Sequence, residues 1–195
     1  MMDLFFCHVR GDPVRDAMAV LCQNRWDREA IDRAAYLTPQ DLKCINAEFQ
    51  LLRRVTAEVM SKTDFYIVAD SDCLPQAKPF VEYAEKLMEI YDSFAMLSLM
   101  PSNCTINPWT PETYTAHLDS RVMEHHSVGG IRICRKGVMG SKWPKADGCT
   151  YDAEHCEEIR RLGYRVGYFR NITQNHLGEG YSQVWKTQPE ALVVQ

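Results

Sequence analysis

The sequence has no long apolar run, no C-x-x-C pair and no excess of basic charge. No stretch approaches the roughly 20 apolar residues of a membrane-spanning helix, so we expect no membrane partner. The formal net charge of −4 argues against a protein that coats nucleic acid nonspecifically, although a local basic face is compatible with it. Met1–Val9 is too short for a signal peptide. We therefore expect the eight cysteines to be reduced thiols and the location to be cytoplasmic.

The patterns that are present are typical of one globular α/β domain. Hydrophobic residues make up 46% and charged residues 25% of the 195 residues, and strand and helix patterns alternate along the chain. The predicted strands are Asp3–Val9, Ala34–Leu37, Phe65–Ala69, Phe94–Met100, Ser127–Cys134 and Tyr164–Phe169. The predicted helices are Val14–Gln23, Gln40–Ser61, Phe80–Tyr91 and Tyr151–Leu162. We expect a mostly parallel central sheet flanked by helices in a compact domain of residues 1–182, with an irregular chain from Asn171 and a tail of residues 183–195.

The rest of the chain is organised around Asp64–Pro75, where a buried strand runs into two carboxylates. The apolar run Phe65–Ala69 is typical of a strand buried in a parallel sheet. Alternation places Asp70 and Asp72 on one side, with Ser71 facing away. The carboxyl end of a central strand is where an open α/β sheet binds its ligand. Two acidic oxygens there suit a hard divalent cation that also holds a diphosphate. Two solvated aspartates in a turn are the alternative.

Four features along the chain together suggest a known family. They are Arg54, sixteen residues before Asp70 on the helix that feeds the strand; the D-x-D triplet Asp70-Ser71-Asp72; Asp152, eleven residues before Gly163-Tyr164; and His176, after the last strand. In this order they resemble the nucleotide-sugar glycosyltransferases of the GT-A fold, and in particular the large inverting family 2. The chain departs from the family where Val9-Arg10 replaces Tyr-Asn and where Tyr151 replaces the glutamate of an acidic pair. It also lacks the Asp-Gly-Ser-Thr/Asp signature.

The resemblance implies a metal-dependent transferase with a UDP-sugar as the expected donor and inversion at the anomeric carbon. It implies that Asp70 and Asp72 hold Mn²⁺ or Mg²⁺ and that His176 helps hold the metal or the diphosphate. Asp152 is the candidate general base for the acceptor hydroxyl, and Glu154 is the substitute. Each residue has a structural alternative: Asp152 is equally suited to the first turn of a helix, and a single histidine after a strand is often structural.

Further donor contacts are predicted at two arginines and two glycines. Arg10 and Arg54 are candidate neighbours of the diphosphate or uracil, since arginine suits bidentate phosphate recognition. Gly129 and Gly130 precede a strand where family members let the backbone approach the donor sugar. Solvated surface arginines and a plain glycine turn are the respective alternatives.

The acceptor is predicted only as a hydroxyl, with two open interpretations. Between Gly130 and Asp147 the sequence has five basic residues, one tryptophan and no acidic residue: Arg132, Arg135, Lys136, Lys142, Lys145 and Trp143. A basic patch with an aromatic ring suits a phosphate backbone and an unstacked base. This favours a viral enzyme that glycosylates a hydroxymethylated pyrimidine in DNA, in the host cytoplasm. The alternative is a solvated loop in which Lys142 and Lys145 face water and Trp143 lines a cleft for a saccharide.

Two other functions remain open. One is a binding or scaffold protein on a decayed transferase fold, which the missing first-strand signature favours. The other is a nucleotidyltransferase, which also uses paired carboxylates and a divalent metal. Such an enzyme normally has a Gly-rich phosphate loop and a lysine early in the chain, and Arg10-Gly11-Asp12 matches that pattern poorly.

Overall fold

A central β-sheet with helices on both faces forms the framework of the protein. The computed structural model describes residues 1–8, 10–27, 29–38, 46–76, 79–102, 121–138 and 151–177. The strands are β1 Met2–Cys7, β2 Ile31–Leu37, β3 Phe65–Asp70, β4 Cys73–Pro75, β5 Phe94–Pro101, β6 Val122–Glu124, β7 Arg132–Arg135 and β8 Arg165–His176. The helices are α1 Pro13–Trp26, α2 Asn46–Met60, α3 Val81–Ile90 and α4 Tyr151–Arg161.

The sheet is mixed, and most of its strands run in one direction. The strand order is β2-β1-β3-β7-β5-β8-β4, and β6 pairs with β8. β1 is parallel to β2 and β3, and β5 is parallel to β8. β7 lies antiparallel between β3 and β5, so it joins the two parallel parts, while β4 and β6 run antiparallel to β8. The predicted α/β fold with a mostly parallel sheet is confirmed, with three antiparallel strands added.

Each face of the sheet has its own hydrophobic core. Alternation along β1 sends Leu4 and Phe6 to one core and Phe5 to the other. α1 and α3 cover the first core, for example through Trp26. α2 and α4 cover the second, where Ile159 is buried. Because both faces are covered, the central strands are apolar almost throughout, which is the pattern from which they were predicted.

The last strand is longer than the sequence predicts. The prediction that the chain is irregular from Asn171 is wrong up to His176, because β8 continues to that residue. The polar composition of this segment conceals a buried side chain: Gln174 is only 3% exposed. Its amide is fully used, since Nε2 donates to the carbonyl of Leu99 at 2.7 Å and Oε1 accepts from the N–H of Ile131 at 2.9 Å. A buried polar group with its partners in place costs little.

Two short strands are absent from the sequence-based prediction. β4 and β6 have three residues each, which is too short to display the alternation that marks a strand. Both owe their position to pairing with β8. The proposed domain boundary at residue 182 lies outside the described residues, as do residues 40–45 at the start of the predicted second helix. Those two predictions therefore stay predictions.

Candidate active site

A cleft of about 330 Å³ lies at the carboxyl ends of β3, β5 and β8. This is the edge of the sheet at which open α/β folds bind ligands. Five residues of its lining were predicted from the sequence as site residues: Asp70, Gly129, Gly130, Asp152 and His176. The structure adds Cys73, which was not predicted, to the same cleft.

Asp70 ends β3 and interacts with two buried arginines. Arg53 of α2 donates a short hydrogen bond to Asp70 Oδ1. The guanidinium of Arg132 on β7 lies 3.4 Å from Asp70 Oδ2. The Asp70 side chain nevertheless keeps 23% of its surface exposed, so the carboxylate faces the cleft with positive charge behind it.

Asp152 lies in the first turn of α4, where the helix dipole favours a negative charge. Its Oδ1 accepts hydrogen bonds from Arg132 at 2.6 Å and from Arg54 at 2.9 Å. Burial alone would raise the pKa of Asp152, but the charges of Arg132 and Arg54 outweigh burial and hold this pKa well below its ordinary value. Asp152 is therefore ionised at neutral pH and, with both arginines in place, a weak base.

Arg53, Arg54 and Arg132 form an arginine cluster behind the two carboxylates. All three side chains are buried. Burial, with the neighbouring charges of Arg132 and Arg53, lowers the pKa of Arg54 to about 10, which leaves it protonated at neutral pH. Three guanidinium groups thus lie beside the two cleft carboxylates, Asp70 and Asp152. Guanidinium groups at this position suit the recognition of an anionic ligand such as a phosphate.

Two members of the arginine cluster were missed by sequence reasoning. The placement of Arg132 in an exposed basic patch is wrong: the residue is 2% exposed and its guanidinium contacts both cleft carboxylates. Arg53 was not singled out. For Arg132 the sequence did contain a signal, since this charged residue lies between Ile131 and Ile133 in an apolar strand pattern. A charged side chain is seldom buried without a partner, so this position indicated a buried ion pair.

Asp72 lies in a different environment from Asp70. Its Oδ2 lies 3.2 Å from Nε2 of His176, and its Oδ1 lies 3.7 Å from Sγ of Cys73. Burial would raise the pKa of Asp72, but the hydrogen bond and charge of His176, with a smaller contribution from Arg15, lower it below the ordinary value of 3.8. Among the described residues, Asp72, Cys73 and His176 form the group whose donor atoms lie within 4.8 Å of one another, and Asp70 is outside it.

Gly129 and Gly130 form the floor of the cleft next to these side chains. A Cβ atom at Gly129 would lie 3.0 Å from Oδ2 of Asp152. Gly130 has a φ of +73°, and a Cβ atom there would lie 2.6 Å from Oε1 of Gln174. The absence of side chains at both positions therefore keeps Asp152 and Gln174 in place.

Two adjacent histidines line another part of the cleft. The rings of His125 and His126 are stacked, with centroids 4.4 Å apart, and Tyr168 meets His125 edge-on at 5.3 Å. Both histidines directly follow β6 in the chain. Burial lowers the pKa of His125 to about 4. The pair is therefore uncharged at neutral pH and presents flat rings to the cleft.

The remaining predicted residues lie away from the cleft or outside the described residues. Arg10 is exposed in the turn after β1, and Glu154 is half-buried on α4 without lining the cleft. Lys142, Trp143 and Lys145 lie outside the described residues. Of the predicted basic patch, Arg135 donates to the carbonyls of Met88 and Phe94, and Lys136 donates to the carbonyl of Ser61. Within the described parts of the chain, no helix is long and apolar enough to cross a membrane.

Comparison with known proteins gives matches at the level of structure. No protein-family model matches the chain, and no curated protein does. The glycosyltransferase TarS of S. aureus, residues 1–349, superposes with a TM-score of 0.59 at 9% identity, over 99% of this chain and 69% of that chain. The chain has a GT-A-type fold. This confirms the fold suspected from Asp70-Ser71-Asp72 and Asp152.

Two further solved structures share this GT-A-type arrangement over most of their length. A197 from STIV matches with a TM-score of 0.54 at 14% identity, over 90% of this chain and 85% of that chain. A putative glucose-1-phosphate thymidylyltransferase from Bacillus anthracis, in complex with a sucrose, also matches with a TM-score of 0.54. It is 13% identical over 100% of this chain and 96% of that chain. Identities this low show a shared fold, and the activity has to be argued from the site.

Proposed function

We propose that the protein transfers a sugar from a nucleotide-diphosphate sugar, with a UDP-sugar as the expected donor, to an acceptor hydroxyl. The observation that carries this proposal is that Asp70 and Asp152 line one cleft at the carboxyl edge of a GT-A-type sheet. The same TarS segment has been solved in complex with UDP and with UDP-GlcNAc, and both complexes match this chain. A cleft of about 330 Å³ is at the lower end of the size of small-ligand sites.

The arginine cluster gives this cleft a preference for a charged donor. Asp70 and Asp152 each contact two guanidinium groups. A diphosphate at the cleft would compete with Asp152 for Arg132 and Arg54. We expect this competition to raise the basicity of Asp152 only when the donor is bound.

Asp152 is the group that we propose as general base, with Glu154 as the substitute. It is ionised at neutral pH, it lines the cleft, and one-third of its side chain is exposed. It would accept the proton of the acceptor hydroxyl as that oxygen attacks the anomeric carbon, and the configuration would be inverted. Glu154 is less well placed, because it does not line the cleft.

A divalent cation fits beside the cleft, where the buried Asp72 lies next to the cleft-lining His176. The carboxylate of Asp72 and the imidazole of His176 are 3.2 Å apart and supply one oxygen and one nitrogen donor. A cation bound there would neutralise the charge that develops on the leaving diphosphate. Imidazole is a poor ligand for Mg²⁺, so of the two predicted ions the donor set favours Mn²⁺. Asp70 then contributes charge to the cleft from the opposite side.

Two acceptors remain in the proposal, a hydroxymethylated pyrimidine in DNA and a saccharide. A hydroxymethylated pyrimidine in DNA is supported by Lys142, Trp143 and Lys145, and no longer by Arg132. A saccharide is supported by the stacked rings of His125 and His126 in the cleft, because sugar rings pack against aromatic faces. Retention of the protein on a DNA column at low salt, lost when Lys142 and Lys145 become Glu, is expected for the DNA acceptor. Flow-through of the wild type would eliminate it.

Donor hydrolysis tests the proposed function without knowledge of the acceptor. A panel of UDP- and GDP-sugars is incubated with wild type and with Asp70→Ala/Asp72→Ala, in Mn²⁺, in Zn²⁺ and in EDTA. We expect metal-dependent release of one nucleotide diphosphate, abolished in the double variant and kept in Asp92→Ala, whose exposed carboxylate lies at the amino end of β5. If the protein neither releases a nucleotide nor binds one in a metal-dependent way, the binding or scaffold function becomes the better explanation.

A nucleotidyltransferase is the second candidate, because the thymidylyltransferase fold matches this chain over its full length. The two reactions release different products. A nucleotidyltransferase would form pyrophosphate from a nucleoside triphosphate and a sugar 1-phosphate. Incubation with UTP or dTTP and glucose 1-phosphate, followed by a pyrophosphate assay, separates it from a transferase that releases UDP.

A further inference from the structure

The pairing of β4 with β8 places a thiol beside the metal-ligating groups already described. Cys73 and His176 are directly opposite each other in this antiparallel pair. Side chains of directly opposed residues lie on the same face of a sheet, with Cβ atoms about 4.5–5.5 Å apart. Asp72 precedes Cys73, and its carbonyl accepts a hydrogen bond from the N–H of Leu177 at 2.7 Å, which closes the turn onto β8. Three different donor types are thus fixed by backbone pairing.

The donors of these three residues lie close enough to share one metal ion. Asp72 Oδ2 and His176 Nε2 are 3.2 Å apart, and the other oxygen of the same carboxylate, Oδ1, lies 3.7 Å from Cys73 Sγ. Zn–O and Zn–N bonds of about 2.0 Å and a Zn–S bond of about 2.3 Å, at tetrahedral angles, give separations of about 3.3–3.6 Å between ligand atoms. All three donor atoms lie within 4.8 Å of one another. The proposal requires one Asp72 oxygen, the Cys73 sulfur and the His176 nitrogen to move from these separations onto one ion.

The chemistry of the donor set differs from the all-oxygen set that suits Mg²⁺. A thiolate and an imidazole favour Zn²⁺, whereas Mn²⁺ and Mg²⁺ favour carboxylate and water ligands. Three protein ligands with one open position are typical of a catalytic zinc site. Cys73 and His176 both line the cleft, so the open position would face it. Asp70 faces the arginine cluster and takes no part.

We propose that Asp72, Cys73 and His176 form a metal site whose cysteine thiolate selects Zn²⁺ over Mn²⁺ and Mg²⁺. Binding displaces the thiol proton of Cys73 to solvent, because a cysteine ligates metal as the thiolate. The role of this ion in holding the donor diphosphate rests on the proposed transferase function. The binding of the ion does not, since it follows from the three donors alone.

Cobalt(II) is the spectroscopic substitute for Zn²⁺ in the test. Metal-free protein is titrated with Co²⁺, and the near-ultraviolet thiolate-to-cobalt charge-transfer band is recorded. We expect the band in wild type and in Cys134→Ser, which alters a buried cysteine on β7, and its loss in Cys73→Ser. We expect His176→Asn, at a partly exposed position, to weaken Co²⁺ binding at least tenfold, since losing even an outer-shell partner costs about 10–100-fold. Excess Zn²⁺ should remove the band, and excess Mn²⁺ or Mg²⁺ should not.

Three outcomes would overturn the proposal: Co²⁺ binding without the charge-transfer band, a band that persists in Cys73→Ser, or displacement of Co²⁺ by Mn²⁺ as effective as by Zn²⁺. Circular dichroism of each variant checks folding, and metal analysis of the purified wild type gives a second reading that needs no variant. Donor hydrolysis measured on the same samples separates the two proposals. The band without nucleotide release contradicts the transferase alone, and Mn²⁺-dependent release without the band contradicts the zinc site alone.

Discussion

Arg132 on β7 and Asp152 in the first turn of α4 are joined by a hydrogen bond of 2.6 Å that links the centre of the sheet to a flanking helix. The same guanidinium lies 3.4 Å from Asp70, so one buried side chain holds both cleft carboxylates. A buried ion pair of this kind is weak evidence for stability, because desolvation offsets the attraction. Its effect is to fix two negative charges at defined positions.

Removal of Arg132 should destabilise the fold more than removal of an exposed arginine. Arg132→Met removes one guanidinium partner from Asp152 and one from Asp70. Because both carboxylates are partly exposed and keep a second arginine, the loss should stay below the about 3–5 kcal/mol of a fully buried pair. The free energy of unfolding from urea denaturation measures this. The control is Arg161→Met, which breaks the exposed pair with Glu157 on α4. Exposed i,i+4 pairs contribute about 0.3–0.5 kcal/mol. Equal losses in the two variants would show that Arg132 does not hold the carboxylates.

The transfer rates of variants at Asp152 and Glu154 distinguish which of the two carboxylates is the general base. If Asp152 is the general base, Asp152→Asn should lower the transfer rate by about 10²–10⁴-fold, the usual contribution of a positioned base. Glu154→Gln, on the same helix but not in the cleft, should leave the rate within a few-fold. Because Arg132 and Arg54 keep the pKa of Asp152 low in the enzyme without donor, this residue should impose no rise in kcat/KM between pH 5 and pH 8. A larger loss in Glu154→Gln than in Asp152→Asn would reverse the assignment.

The turn at Gly130 allows a comparison with a glycine in open space. Gly137 has a φ of +84°, and a Cβ atom at that position would have no neighbour within 4 Å, whereas a Cβ atom at Gly130 would meet the Gln174 amide. Gly137→Ala should cost only the left-handed backbone penalty, about 1–2 kcal/mol. Gly130→Ala should cost at least about 1 kcal/mol more, because Gln174 must move and its buried hydrogen bonds are lost. Thermal or urea unfolding of the pair tests this, and indistinguishable losses would contradict the expected contact.

Local sequence patterns predicted the fold well, because each strand or helix shows its periodicity over several consecutive residues. The buried strand before Asp70 and the helix that begins near Asp152 each show their own periodicity, so both carboxylates were found. Arg132 was misplaced because its burial depends on partners 20 and 62 residues away, Asp152 and Asp70. No local pattern records such a partner.

The group Asp72, Cys73 and His176 could also be predicted only in part from local sequence patterns. Asp72 and His176 were predicted, but Cys73 was not, because its place opposite His176 depends on a three-residue strand. That strand pairs with the part of β8 that the polar sequence concealed. A contact made by two segments, each too short or too polar to show its structure, is visible only in the folded chain.

The buried histidine of the cleft should make stability depend on pH above the range in which the carboxylates titrate. Burial lowers the pKa of His125 to about 4, whereas an unfolded histidine has a pKa of about 6.5. The unfolded chain therefore binds more protons between these values, and stability falls as the pH falls from about 6.5 to about 4. Above about pH 6.5 His125 is neutral in both the folded and the unfolded chain, so it no longer makes the free energy of unfolding depend on pH. This dependence amounts to at most roughly 3.5 kcal/mol over the whole range, from about 1.4 kcal/mol for each pKa unit.

His125→Phe is the variant that tests this, because it keeps a flat ring and removes the titration. Its loss of the contact between His125 Nδ1 and the carbonyl of Ser127 lowers stability by a constant amount at every pH. The slope of unfolding free energy against pH between 7 and 5 should therefore be smaller in the variant than in wild type. Between pH 7 and 8 the two curves should run parallel, which serves as the internal control. Curves that stay parallel down to pH 5 would mean that His125 does not stay neutral in the folded protein.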